Sequence, residues 1–140
     1  MTQTKTRTNE KETKRNKKDN QMKAIVSTKY GPPDVLKLEE VEKPTPKNDE
    51  VLIKVYATSV NAGDWHLLRG KPFLVRLMGY GLLKPKHKIL GADIAGRVEV
   101  VGRNVKQFQS GDEVFGNTSK YGFGGFAEYI SVPELSLIHI

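Results

Sequence analysis

The chain has 140 residues, 37% of them hydrophobic, no cysteine and a formal net charge of +7. That length supports one domain with a real core and excludes two full-sized ones, while the absence of cysteine excludes disulfides, thiolate metal ligands and thiol nucleophiles. No apolar run approaches the roughly 20 residues of a bilayer span and no apolar leader core opens the sequence, so a cytoplasmic protein with no membrane partner is expected.

The N-terminal stretch holds Lys5, Arg7, Lys11, Lys14, Arg15, Lys17 and Lys18 against Glu10, Glu12 and Asp19, and nothing apolar from Thr2 to Gln21. With no surface to bury against the entropy of ordering, residues 1–21 are expected to be a disordered basic tail. Its charge reads as solvated rather than as an arm for RNA or phospholipid. Most of the net charge sits there, so no nucleic-acid partner is expected for the body. Met22 is a candidate natural start.

From Met22 onward, short Val- and Ile-rich segments punctuated by Gly and Pro have the pattern of a compact β-rich domain. Strands are expected at Lys23–Thr28, ended by Gly31-Pro32-Pro33-Asp34, and at Val35–Val41, stopped by Pro44-Thr45-Pro46. The clearest strand is Glu50–Val60. Val51, Ile53, Val55 and Ala57 share one face and Leu52, Tyr56 and Thr58 share the other with Lys54, so both faces are expected to be largely covered.

A helical turn or two is expected at Asp64–Arg69, with Asn61 or Asp64 as N-cap and Gly70 as the left-handed stop. Lys71–Lys88 mixes Phe73, Leu74, Val75, Leu77, Met78, Leu82 and Leu83 with a basic end. Too apolar for a free loop, it is expected to form a short helix or lid on the body of the domain. Strands resume at Asp93–Val101, Glu113–Phe115 and Phe126–Val132. Gly122-Phe123-Gly124-Gly125 leads into a strand rather than a helix, so it is not a dinucleotide turn.

The most specific stretch is Gly91-Ala92-Asp93-Ile94-Ala95-Gly96-Arg97-Val98-Glu99-Val100-Val101-Gly102, followed by Gly111-Asp112-Glu113-Val114. Its glycines suit a sharp entry, a close approach inside a strand and tight exits. Physical reasoning alone reaches a bent antiparallel barrel. The pattern G-x-D-x-x-G-x-V-x-x-V-G, then G-D-x-V, resembles the GroES-like N-terminal domain of the medium-chain dehydrogenase/reductase superfamily. Met22-Lys23-Ala24, Val51-Leu52-Ile53-Lys54-Val55 running into Ser59-Val60-Asn61, and Gly125-Phe126-Ala127-Glu128-Tyr129 agree with it. The resemblance covers Met22 to about Glu134.

It implies a mainly β fold with short helices, a GroES-like bent β-barrel whose Rossmann cofactor domain is missing from this sequence. Within the superfamily the chain is similar to the zinc-free quinone-oxidoreductase and enoyl-reductase branch. Asn61-Ala62-Gly63-Asp64 stands where zinc-dependent relatives place a Cys, and Gly91-Ala92-Asp93 where they place a G-H-E triplet. The implied activity is hydride transfer from NADP(H), or NAD(H), to a carbonyl, enone or quinone substrate without zinc, and a homodimer when full length. The resemblance puts Asn61 on the cofactor side and leaves Asp64 open between cap and site. It sets Trp65 and His66 beside nicotinamide or substrate, although His66 replaces a frequent Tyr. Spacing leaves open a metal site from His66, His87 and Asp93, but three such ligands lack the usual supporting partners, and no metal is expected.

A rival reading is a stand-alone GroES-like binding or assembly module without catalysis. It would need a mobile apolar loop and a ring-forming edge, whereas the Asn61–Asp64 and Gly91–Asp93 runs resemble the reductases. Leu135–Ile140 leaves the family pattern after Val132-Pro133-Glu134, and the chain is expected to be truncated there with a foreign end.

Overall fold

The computed structural model describes residues 20–139, so the expected tail falls outside the described residues except for Asn20 and Gln21. Seven strands and one regular helix follow: β1 (Gln21–Val26), β2 (Lys37–Glu42), β3 (Glu50–Thr58), α1 (Ala62–Arg69), β4 (Asp93–Val101), β5 (Glu113–Asn117), β6 (Tyr129–Pro133) and β7 (Leu137–His139). Five strands form one antiparallel sheet in the order β6-β3-β4-β5-β7, and β1 pairs with β2 in a second. Mainly β with short helices, the architecture agrees with the expected bent barrel.

The core lies where β3 and β4 alternate toward their neighbours. Val51, Ile53, Ile94, Val98, Val114, Ile130 and Val132 form one buried cluster, closed by Phe108 and Leu137. Burying each such side chain contributes about 1.5–3 kcal/mol against the entropy of ordering it. Inside this layer Gly96 of β4 faces the Lys54 carbonyl of β3 so closely that a β-carbon has no room. The register of that pair slips between Val55 and Ala57, which turns the end of β3 outward.

Two-sided burial of β3 was expected along its length but holds only for its first half. Val51, Leu52 and Ile53 are buried, whereas Tyr56, Ala57 and Thr58 are exposed. Hydrogen bonding on the β6 side ends with the Val55 N–H to the Glu128 carbonyl at 2.9 Å, leaving only β4 paired beside Tyr56 to Thr58.

Local bonding accounts for the other shifts. Pro33–Val35 is a tight helical turn closed by Val35 N–H to the Pro32 carbonyl at 3.0 Å, so β2 starts at Lys37 rather than Val35. The run expected as one strand from Phe126 to Val132 is divided between two partners. Gly125 and Phe126 donate to the Gly91 and Leu90 carbonyls, each at 2.9 Å, and the Phe126 carbonyl accepts from Ile25 at 2.8 Å. Glu128 serves both, its N–H donating to the Lys23 carbonyl at 3.0 Å and its carbonyl accepting from Val55 of β3 at 2.9 Å, and from Tyr129 the chain pairs with β3 alone. This division ties the small β1–β2 sheet to the large one. At the other edge β7, within the end expected to be foreign, pairs with β5 through Gly116↔Leu137.

The segment after α1 departs from expectation in its orientation. A wide helical turn does form at Arg76–Tyr80, broken at Gly79 with φ of 96°. Instead of lying apolar side down, it leaves Phe73, Leu74, Leu77 and Met78 exposed and turns Val75, Arg76 and Tyr80 toward the protein. Arg76 is the anchor: its guanidinium lies 4.4 Å from the centre of the Tyr30 ring and its Nε–H donates to the Gly70 carbonyl at 3.1 Å. Among the described residues no helix is long and apolar enough to cross a membrane.

Candidate functional site

The end of β3, the start of α1, the entry to β4 and the end of β5 meet at one edge of the domain. Asn61 has extended backbone angles (φ −122°, ψ 172°) and begins the helix, which stops at Gly70 in the left-handed region (φ 59°) as expected. Asp64, in the first turn, reaches back so that its Oδ2 accepts the Asn61 N–H at 3.1 Å. Its Oδ1 accepts the Gly91 N–H at 3.0 Å. Only 3% exposed, the carboxylate is offset by two backbone donors and by the positive end of the helix dipole. Asp64 thus fastens the helix start to the turn before β4.

Gly91 makes that fastening possible. Its φ of 94° is a region that β-carbons disfavour, and a β-carbon would lie 2.7 Å from the Phe126 backbone nitrogen. Thr118, fully buried, closes the same turn: its N–H donates to the Ala92 carbonyl at 2.6 Å and its hydroxyl to those of Ala92 and Gly91 at 3.0 and 3.2 Å.

The side chain around which the edge is organised is Asp93, which the sequence reading left out of the site. Asn61 Nδ2 donates to Asp93 Oδ2 at 2.6 Å, the Ser59 hydroxyl to the same oxygen at 3.0 Å, and Asn117 Nδ2 to Oδ1 at 2.6 Å. The Thr58 hydroxyl donates to the Asp93 carbonyl at 2.7 Å. The Asn61 amide, then that of Asn117, holds the Asp93 carboxyl below its ordinary pKa against a smaller opposing effect of burial. The G-x-D step was the available signal for Asp93. No sequence signal marked Asn117, which reaches it through the strand register Asp93↔Asn117.

Trp65 and His66 follow on the outer face of α1. Trp65 is 45% exposed, with the Arg69 guanidinium 4.7 Å from its ring centre and the His66 ring edge-on at 5.0 Å. His66 donates its Nδ1–H to the Lys71 carbonyl at 2.9 Å, because a carbonyl can only accept. This leaves Nε2 as the acceptor in the neutral ring. Of the expected site residues, the structure joins Asn61 and Asp64 directly, sets Trp65 next to them on α1, and ties His66 to the following loop.

His87 stands in another cluster, edge-on to Phe123 (5.4 Å) and Tyr80 (6.2 Å), where burial lowers its pKa, aided by Lys86. His66, His87 and Asp93 are therefore engaged separately. Among the described residues no group of three or more His, Cys, Asp or Glu is placed to hold a metal. The donors at the edge are amides, hydroxyls and a half-exposed indole. With the Ser59 and Thr58 hydroxyl protons already given to Asp93, the groups left free at the edge are the second Nδ2–H of Asn61 and of Asn117 and the Trp65 ring.

Comparison with known proteins agrees with this fold. Residues 47–140 match the alcohol dehydrogenase GroES-like domain. A quinone oxidoreductase of Sus scrofa is 41% identical over 109 residues, covering 77% of this chain and 30% of the relative. An NADPH-dependent alkenal/one oxidoreductase of Arabidopsis thaliana is 40% identical over 121 residues, covering 81% and 30%. Among solved structures, the quinone oxidoreductase from Coxiella burnetii superposes with a TM-score of 0.73 at 32% identity, covering 85% of this chain and 37% of that one. The chain thus spans about 30% of the length of the curated relatives it matches. On the sequence match and the shared fold together, it belongs to the alcohol dehydrogenase GroES-like domain family of the medium-chain oxidoreductases.

Proposed function

We propose that the chain forms the substrate-side wall of an NADP(H)-dependent, zinc-independent oxidoreductase that reduces quinones, enones or related activated carbonyl compounds. The observation that carries this reading is the network centred on Asp93. It holds the Asn61 carboxamide in a fixed orientation at an open edge beside Trp65. The names of the relatives, a quinone oxidoreductase and an NADPH-dependent alkenal/one oxidoreductase, support the substrate and cofactor classes.

The nicotinamide cofactor, when bound, supplies the hydride. Asn61 orients its carboxamide or an ordered water, Trp65 offers a flat face to it, and Asp64 and Asp93 act as positioning residues by fixing the backbone and amide of Asn61. In this reading His66, with Nδ1 engaged by the Lys71 carbonyl, exchanges a proton through Nε2 with substrate. Charge developing on the substrate oxygen is met by these donors and water rather than by a metal. The cytoplasm as location and a homodimer as the assembled form belong to the same proposal, with no nucleic acid as partner.

The test is to join residues 22–134 to the cofactor domain of a close relative and follow NADPH oxidation in the presence of a quinone or an enone. Turnover in the joined protein, and none in the 140-residue chain alone, is the expected result, because one wall cannot position two reactants. A joined protein that folds, binds NADPH and turns over neither substrate overturns the reading.

A further inference from the structure

The segment between Asp64 and Asp93 carries Arg69, Lys71, Arg76, Lys84, Lys86 and Lys88 and no acidic residue. It is also the most apolar part of the described surface: Phe73 is 58% exposed, Leu77 60%, Met78 68% and Leu83 86%. Its helical turn is inside out. Arg76 is drawn against Tyr30 and the Gly70 carbonyl, while residues 73, 74, 77 and 78, adjacent at helical spacing, project outward. Lys71, Lys84, Lys86 and Lys88 are exposed around this stripe, and among the described residues none pairs with a carboxylate.

We propose that residues 71–88 form a docking face for an anionic lipid bilayer, with the outward apolar side chains entering the headgroup boundary and the lysines meeting lipid phosphates. Exposed apolar patches of this kind mark interaction surfaces, and the pairing of such a stripe with flanking lysines is the signature of interfacial binding. Charge argues against two other occupants. A second copy of the chain docked symmetrically would bring the same four lysines face to face, and a free phosphate would leave the apolar side chains in water. A negatively charged, apolar-backed surface satisfies both. The expectation of no membrane partner rested on the lack of a spanning segment, which a peripheral contact does not require.

The test uses the 140-residue chain with vesicles of phosphatidylcholine alone or with about one-third phosphatidylglycerol, read by co-sedimentation. Binding should be at least ten-fold tighter to the anionic vesicles and should largely disappear at about 0.5 M NaCl, where charges are screened within a few ångströms. Because the chain has no cysteine, Leu77→Cys provides a single labelling site, and an environment-sensitive dye there should shift to the blue on binding.

Leu74→Ser with Met78→Ser should abolish the interaction, and Lys84→Gln, Lys86→Gln and Lys88→Gln should each weaken it about five-fold. These side chains are exposed, so circular dichroism and melting should be unchanged. Binding that survives both sets of substitutions places the contact elsewhere, in the basic N-terminus, and overturns the proposal. So does equal binding to neutral vesicles, a dimer in solution that ignores vesicles, or loss of vesicle binding once residues 22–134 are joined to a relative's cofactor domain, which would put that domain on this face.

Discussion

Asp64 and Gly91, 27 residues apart in sequence, are joined by a buried 3.0 Å hydrogen bond from the Gly91 N–H to Asp64 Oδ1. Through the other oxygen of the same carboxylate the bond extends to the Asn61 backbone. The start of the helix and the entry to β4 are therefore one unit, and the orientation of the Asn61 amide depends on both.

Removing that carboxylate strands two backbone donors. Asp64→Ala is expected to lower stability by about 2–4 kcal/mol, combining the lost charged hydrogen bonds with the unsatisfied N–H groups. Asp64→Asn keeps one acceptor and should lose less than half as much. Urea unfolding checks both, and an Asp64→Ala protein as stable as the parent would show that the two bonds contribute nothing.

Asp93 gives a pH signature. Its pKa is lowered in the fold, so its contribution is complete above the ordinary Asp value and is lost as pH falls through the lower, folded value. Asp93→Asn should therefore melt below the parent near neutrality. The gap should shrink progressively below about pH 4, where the unfolded chain takes up its proton before the folded carboxylate does. A gap independent of pH would contradict a charged Asp93 as the centre of the network.

His87 acts in the same direction nearer neutrality. Burial favours its neutral form, so the unfolded chain takes up a proton first and the fold loses stability as pH drops below about 6.5. His87→Phe, which keeps an aromatic ring beside Phe123 and Tyr80, should flatten the melting profile between pH 5 and 6.5. A profile identical to the parent would show that the histidine titrates as it does in water.

In the core, Ile53→Ala should cost about 2–5 kcal/mol, because Ile53 is fully buried between β4 and β6 and the cavity cannot collapse through the sheet. A denaturation midpoint unchanged within error would mean that the β3 layer does not carry the fold.

The sequence made β4 legible to the residue, since the glycines that bound it and the alternation within it are both local signals. Gly70 as helix stop was readable for the same reason. What escaped was set by tertiary contacts. The loss of cover over Tyr56 to Thr58 follows from where β6 ends, and the division of Phe126–Val132 follows from competing partners, neither visible in one segment. The orientation of residues 73–78 depended on Arg76 finding Tyr30, 46 positions earlier. In the site, Asn61 and Asp64 were readable as a helix start. Asp93 became central only because β5 places Asn117 opposite it while the end of β3 supplies Ser59.

The Asn61 carboxamide, held at 2.6 Å by Asp93, is proposed to orient a nicotinamide. The most direct measurement is kcat/KM for Asn61→Ala in residues 22–134 joined to a relative's cofactor domain, alongside NADPH affinity and melting temperature. A loss of about ten-fold or more, roughly 1.4 kcal/mol of transition-state stabilisation, is expected, with the melting temperature little changed. Full activity with normal cofactor affinity would contradict it and leave the Asn61–Asp93 pair a structural contact alone.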